Sequence, residues 1–252
     1  VKLAIVKIRQ RIIILFLNSG FLIIHAQKLN PIQLDRPDQT ETVCTVPKAY
    51  LQVENGFRLE HITKKENRYE FPSVLWKYGL TNTIELRFIT ELAKENEEVK
   101  IRPVSVGFKT QLIEERGIIP KTSLIAHVMV QINKNAQLFT PRFRFTFQNN
   151  LSKKASIGYN LGMEWNPENT IPTYIYTLTY GRSLNEYLGA YIETYGFYSQ
   201  NKKADSRING GLTYLMSSNF MIDLSSGFGL SKSSPKYFIA LGVSFRTKLK
   251  RK

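Results

Sequence analysis

The sequence predicts an all-β protein, an antiparallel up-and-down transmembrane β-barrel of about 12 strands, preceded by a cleaved signal peptide. Three observations carry this expectation. After residue 48, apolar and polar residues alternate with a period of two almost everywhere, the repeat of a strand whose two faces meet different surroundings. The alternating runs last about nine to eleven residues, the length at which a tilted strand crosses a bilayer. Aromatic residues gather near the run ends, at Tyr50, Trp76, Tyr78, Trp165, Tyr174, Tyr180, Tyr187, Tyr214 and Tyr237, where two headgroup layers would lie. A soluble β-sandwich shows the same alternation, because period two does not say which face is inside. It stands as the alternative.

The first 26 residues follow a different rule. Lys2, Lys7, Arg9 and Arg11 precede a mostly apolar run at 12–24, and His25-Ala26-Gln27 then offers a small residue where a signal peptidase cuts. Asn18, Ser19 and Gly20 interrupt the run and leave it short of the roughly 20 apolar residues that a helical anchor needs. The expected organisation is therefore a signal peptide at 1–26, a periplasmic segment and candidate plug at 27–48, and the barrel at 49–252. The expected location is the outer membrane of a Gram-negative bacterium.

The strands are expected in this order. Residues 50–60 set Leu51, Val53, Phe57 and Leu59 against Gln52, Glu54, Arg58 and Glu60. Residues 74–79 put Val74, Trp76 and Tyr78 on one face; after a turn at Thr81-Asn82, residues 84–91 set Ile84, Leu86 and Phe88 against Glu85, Arg87 and Glu91. Residues 104–109 and 124–130 follow, then the phenylalanine run 143–147 with Arg142 and Arg144 on the opposite parity, and 157–165 with Glu164 opposite. Residues 174–180, 188–193, 207–214, 220–224 and 237–246 complete the series, with Glu193, Arg207 and Asp223 on the polar parity. The connections are expected to alternate between compact turns at one rim and longer, charged loops such as HITKKENRY, LAKENEEVK and SQNKKADS at the other. The connection at 111–121 breaks this rule, being long on the compact side.

If the apolar parity faces lipid, the other lines a lumen. The residues expected along it are Glu54, Arg58, Glu85, Arg87, Arg142, Arg144, Glu164, Glu193, Arg207 and Asp223. About twelve strands enclose a narrow interior, in which carboxylates and guanidiniums pair. Two outcomes remain open: a narrow channel for small anionic or aromatic solutes, and a sealed structural or surface-binding barrel. The segment before the first strand carries Asp35, Arg36, Pro37, Asp38 and Glu41. It is expected to fold into the periplasmic mouth, Arg36 meeting Glu85 or Glu193 and its acids meeting lumen arginines.

Removing the four basic residues of the signal lowers the formal charge from +15 to +11. For an exported chain, lipid and lipopolysaccharide phosphates, rather than nucleic acid, are the expected counterparts of such a charge; Lys64-Lys65 and Lys202-Lys203 in the outer loops are candidates. The other expected partners are an unknown small solute and the assembly machinery of the outer membrane. No nucleic-acid partner, cofactor or metal is expected, and no catalytic residues. The chain lacks Gly-x-Ser-x-Gly and His-Glu-x-x-His, His127 reads as an interior polar residue, and the single Cys44 excludes an intramolecular disulfide framework.

The run Asp35-Arg36-Pro37-Asp38-Gln39-Thr40-Glu41, then Thr45-Val46-Pro47-Lys48 and Gln52-Val53-Glu54, resembles the start of mature proteins in the MetA-pathway of phenol degradation family of outer-membrane β-barrels. Leu80-Thr81 with Ile84-Glu85-Leu86-Arg87, and Gly210-Gly211-Leu212-Thr213-Tyr214-Leu215 leading to Asp223-Leu224-Ser225, are similar to its later hairpins. The resemblance implies a barrel and an outer-membrane location, and leaves the solute open. Ala49 stands where the family usually has glycine, which suggests a relaxed approach at the start of the first strand. Arg246 and further residues follow Phe245, so recognition by the assembly machinery is expected to use Phe245 from within the chain.

Overall fold

The computed structural model describes residues 29–63, 66–95, 98–133, 136–165, 171–200 and 202–249. The expected signal peptide and the Lys64-Lys65 pair lie outside these. The described chain is all strand and turn: β1 (Tyr50–Thr63), β2 (Glu66–Gly79), β3 (Ile84–Glu95), β4 (Glu98–Ile101), β5 (Val104–Ile113), β6 (Lys121–Asn133), β7 (Ala136–Asn150), β8 (Ala155–Trp165), β9 (Pro172–Ser183), β10 (Leu188–Ser199), β11 (Asp205–Ser217), β12 (Phe220–Gly229) and β13 (Tyr237–Lys248). Apart from β4, each strand pairs antiparallel with the next, and β1 pairs with β13 from Tyr50↔Lys248 to His61↔Tyr237. That last pairing closes a twelve-stranded ring, in which every described strand but the short β4 has a neighbour on both sides.

The closed ring settles which face is inside. Leu86, Phe88, Tyr176, Leu178, Leu212, Leu224, Ile239, Leu241 and Phe245 are exposed, whereas Glu54, Glu85, Lys77, Arg87, Lys109, Glu193 and Asp223 are buried. Polar inside and apolar outside is the arrangement for a hydrocarbon solvent, and it removes the sandwich alternative. Trp76, Tyr174, Tyr180, Tyr214 and Tyr237 all lie on the outer face, where amphipathic rings suit headgroups, and Tyr187 lies in the turn before β10.

Two sequence expectations need correction. The charged stretches HITKKENRY and LAKENEEVK are mainly strand: β1 runs to Thr63 and β2 starts at Glu66, while β3 runs to Glu95. Ladder hydrogen bonds come from the backbone, so polar side chains do not end a strand that has already left the hydrocarbon layer. The additional strand β4 arises from the same region. Residues 92–95 of β3 pair with β4 (Glu95↔Glu98), residues 84–89 pair with β5, and Arg102 N donates to Glu91 O at 2.9 Å between them. β4 and β5 are thus one pass along β3, interrupted at Pro103, which has no N–H for the ladder.

The connection at 111–121 is shorter than expected, because β5 reaches Ile113 and β6 begins at Lys121. Gly117 turns it with φ 60°, a backbone region open to glycine at little cost. Ala49 also adopts positive φ, 64°, just before β1. The glycine expected there from the family resemblance therefore answers to backbone conformation rather than to a close approach.

Candidate functional site

Residues 31–48 form no strand of their own, yet they lie inside the ring. The segment starts and ends at the rim of the short turns: Ile32 N donates to Ser218 O in the β11–β12 turn at 3.0 Å, and Lys48 pairs with Gly79 at the end of β2. Between these points it dips into the lumen and returns. Ile32, Leu34, Val43 and Val46 are buried on the way.

A chain without a ladder must find other partners for its backbone groups. Lumen side chains supply them. Glu54 on β1 accepts from Asp35 N at 2.9 Å, Glu85 on β3 from Val46 N at 2.7 Å, and Glu193 on β10 from Gln39 N at 2.9 Å and Thr40 N at 2.7 Å. Asn160 on β8 accepts from Glu41 N at 2.7 Å and donates to Glu41 O at 3.1 Å. Gln52, Ser123 and Arg144 donate to the carbonyls of Gln33, Val43 and Gln39 at 2.7, 2.7 and 3.1 Å. Seven strands of the ring thereby take part, if Lys109 on β5 bonding Cys44 O at 3.3 Å is included.

The segment's own charges meet a balanced cluster. Asp35 pairs with Arg87 at 2.7 Å, Lys109 at 2.8 Å and Lys77 at 2.9 Å; Lys77 also pairs with Glu54, and Arg87 with Glu85 at 2.9 Å and Glu41 at 2.5 Å. Arg144 adds a second partner for Glu41 at 3.5 Å. Four carboxylates thus face four cations, an arrangement that holds only with most lone pairs and protons satisfied. Burial opposes the charge of Asp35, but Lys109, Lys77 and Arg87 outweigh it and hold this carboxyl well below the usual range. Glu41 is lowered in the same way by Arg87 and Arg144 against its burial.

Asp38 has the opposite surroundings. Burial and then the Glu193 carboxylate push it well above the usual range, and Thr179 Oγ1 donates to it from 3.4 Å. Arg36 meets Asp223 at 3.5 Å and donates to Leu241 O at 3.3 Å. The expected pairing of Arg36 with Glu85 or Glu193 is corrected, because those carboxylates are occupied by backbone N–H groups. Space for the Arg36 guanidinium comes from Gly56, where a Cβ would overlap it, and Gly242, where a Cβ would overlap Asp223.

The other sequence-predicted residues lie further along the lumen. Arg58 donates to Tyr195 Oη at 3.2 Å, pairs with Glu60 at 3.6 Å and lies 4.1 Å above the Phe238 ring. Arg207 pairs with Glu60 at 2.7 Å and Asp205 at 2.6 Å. Arg142 and Glu164 oppose each other in the β7–β8 register. His127 accepts from Arg87 Nε at 3.3 Å, so its Nε2 carries no proton. Lys77, Asn160 and Tyr195 were not singled out by the sequence. The alternation of Val74, Trp76 and Tyr78 already turns Lys77 inward, but nothing local weights it above other lysines.

Two cavities flank the segment. One, of about 440 Å³, opens at the short-turn rim beside Ser152, Lys153, Asn185 and Glu186. The other, of about 370 Å³, lies among Arg58, Glu60, Arg68, Glu91, Arg142, Glu164 and Arg207. Arg36, Pro37 and Asp38 line both, so the tip of the segment is the partition between them.

Known proteins give the fold its setting. The structure of the COG4313 outer membrane channel from Pseudomonas putida F1 aligns with a TM-score of 0.61 at 9% identity, covering 85% of this chain and 100% of that one. The NanC porin aligns at 0.53 with 13% identity, and the KdgM porin at 0.51 with 11%; each covers 77% of this chain and 98% of that one. At these identities the likeness is one of fold. No curated protein sequence matches the chain. The family model described as "Putative MetA-pathway of phenol degradation" matches residues 34–247, from the start of the lumen segment almost to the end of β13, and the chain belongs to that family.

Proposed function

We propose that this protein is an outer-membrane channel for small solutes, narrowed from within by residues 31–48. The observation that carries the reading is the partition at residues 36–38, with a polar cavity on either side of it. A barrel whose interior were only filler would leave no such pair of vestibules. The fold shared with solved outer-membrane channels and porins supports the reading, and the family description, which names phenol degradation, supports a small organic solute. The lumen charges at Glu54, Glu85, Glu193 and Asp223 would hold the segment, and Arg58, Arg142, Arg144, Glu164 and Arg207 would line the path beyond it.

The domain reading follows: a signal peptide at 1–26, a plug within 27–48 and a barrel at 49–252, with lipid, lipopolysaccharide and the assembly machinery as partners. A conduit, not an enzyme, is proposed. The two described histidines are engaged structurally, His127 with Arg87 and His61 with Asn67 and the Tyr237 ring.

Planar-bilayer conductance of purified protein tests the proposal. Wild type is expected to pass a small current, and a variant lacking residues 31–45 a several-fold larger one. Absence of current from both, with heat-modifiable migration showing a folded barrel, would establish the sealed alternative.

A further inference from the structure

The cavity beyond the partition has two charged ends that the barrel leaves open. Most of its ion pairs are closed, since Glu60 gathers Arg58, Arg68 and Arg207, and Arg144 takes Glu41. On the β7–β8 wall, Arg142 and its cross-strand neighbour Glu164 form no hydrogen bond or ion pair among the described residues, and Arg144 lies two residues on. On the β2–β3 wall, Glu70 is likewise without such a partner, and Glu91 beside it has only Ser73 Oγ at 3.3 Å and Arg102 at 3.8 Å. The bulge at Glu70/Ser73 brings these two acids together on the lumen face.

We propose that this cavity binds a small zwitterion, its carboxylate on Arg142 and its ammonium group between Glu70 and Glu91; the inference rests on the channel reading and names the solute class. A partly dehydrated charge without a partner is costly. A solute carrying only a carboxylate would satisfy Arg142 and leave the two acids repelling each other. An amine alone would leave the guanidinium with only Glu164 across the ladder, outside hydrogen-bond reach. A zwitterion satisfies both and brings no net charge into a space lined by six acidic and six basic residues. The planar guanidinium suits a carboxylate, and the acid pair suits the three donors of an ammonium. A volume of about 370 Å³ is in the range of small-molecule sites.

Calorimetric titration of the detergent-solubilised full chain tests the site with three probes of one shape: leucine, 4-methylpentanoate and 3-methylbutylamine. In wild type, leucine is expected to bind about tenfold more tightly than either analogue, the increment of one charged hydrogen-bonding group. Arg142→Gln should lower leucine to the level of the amine, and Glu70→Gln/Glu91→Gln to the level of the carboxylate. Equal binding of all three probes by wild type overturns the site without reference to any variant, and so does an undiminished leucine preference in a folded Arg142→Gln protein. Conductance is read separately. Current without leucine preference overturns the site and keeps the channel; leucine preference without current does the reverse.

Discussion

Lys109, reaching into the lumen from β5, donates to both carboxylate oxygens of Asp35, at 2.8 and 3.1 Å. Arg87 and Lys77 bind the same carboxylate, so three strands of the ring, β2, β3 and β5, converge on the Asp35 side chain. Arg87 and Lys77 have other acids to fall back on; among the described residues Lys109 has only Glu85, at 3.8 Å. Asp35→Asn keeps the shape and removes the charge, leaving a buried ammonium poorly paired. The cost of breaking such a pair is about 3–5 kcal/mol. The segment is expected to leave its seat, with several-fold more single-channel current and a lower temperature for the heat-modifiable shift. Wild-type values for both would show that the cluster does not hold the segment.

The two aspartates of the segment give its seating a pH window. The folded pKa of Asp35 is depressed, so its stabilisation is complete above the ordinary carboxylate value of about 4 and is lost as pH falls through the lower folded value. The folded pKa of Asp38 is raised, so its contribution is complete below that ordinary value and is lost as pH rises through the raised one. Seating is therefore tightest near that ordinary value, where Asp35 is ionised and Asp38 still holds its proton. Current is expected to rise on both sides of a minimum. Asp38→Asn should abolish the alkaline rise and leave the acidic one; an alkaline rise that persists in this variant assigns it to another group.

Gly56 separates the stability of the barrel from that of the segment. A Cβ there meets the mobile end of Arg36 rather than the backbone. Gly56→Ala should cost the barrel less than about 1 kcal/mol while pushing the guanidinium off Asp223. The expected result is raised conductance with a nearly unchanged unfolding midpoint, and Arg36→Ala should reproduce it. A large loss of barrel stability in Gly56→Ala would mean that the ring, and not Arg36, has to move.

Ala49 offers the simplest stabilising change. Its φ of 64° places Cβ against the following carbonyl, a cost of about 1 kcal/mol that glycine avoids. Ala49 N donates to Gly79 O at 2.8 Å and its carbonyl accepts from Leu249 N at 2.9 Å, so the position is held by its neighbours. Ala49→Gly should raise the urea unfolding free energy by about 1 kcal/mol. A decrease would show that the chain entropy gained on unfolding outweighs the relieved strain.

The sequence by itself determined most of the strands and which residues share a face, Glu54, Arg87, Glu193 and Asp223 on the polar one, because a two-residue period follows from local backbone geometry; that this face is the inner one was decided by the closed ring. The heptapeptide at 35–41 was legible as a polar prelude with family character. Its contacts were not. Which strand stands opposite Asp35 depends on the closure of β1 on β13 and on the path of a segment that has no ladder, and neither leaves a local signature. Glu85 and Glu193 could thus be placed on the polar face but not given their partners, and Lys77 and Asn160 passed as ordinary residues. The end of β3 was hidden because a strand beyond the hydrocarbon layer no longer needs an apolar face. Only the tertiary structure decided that the lumen carboxylates hold backbone N–H groups and that residues 36–38 divide the interior, since both are properties of groups far apart in the chain brought together by the ring.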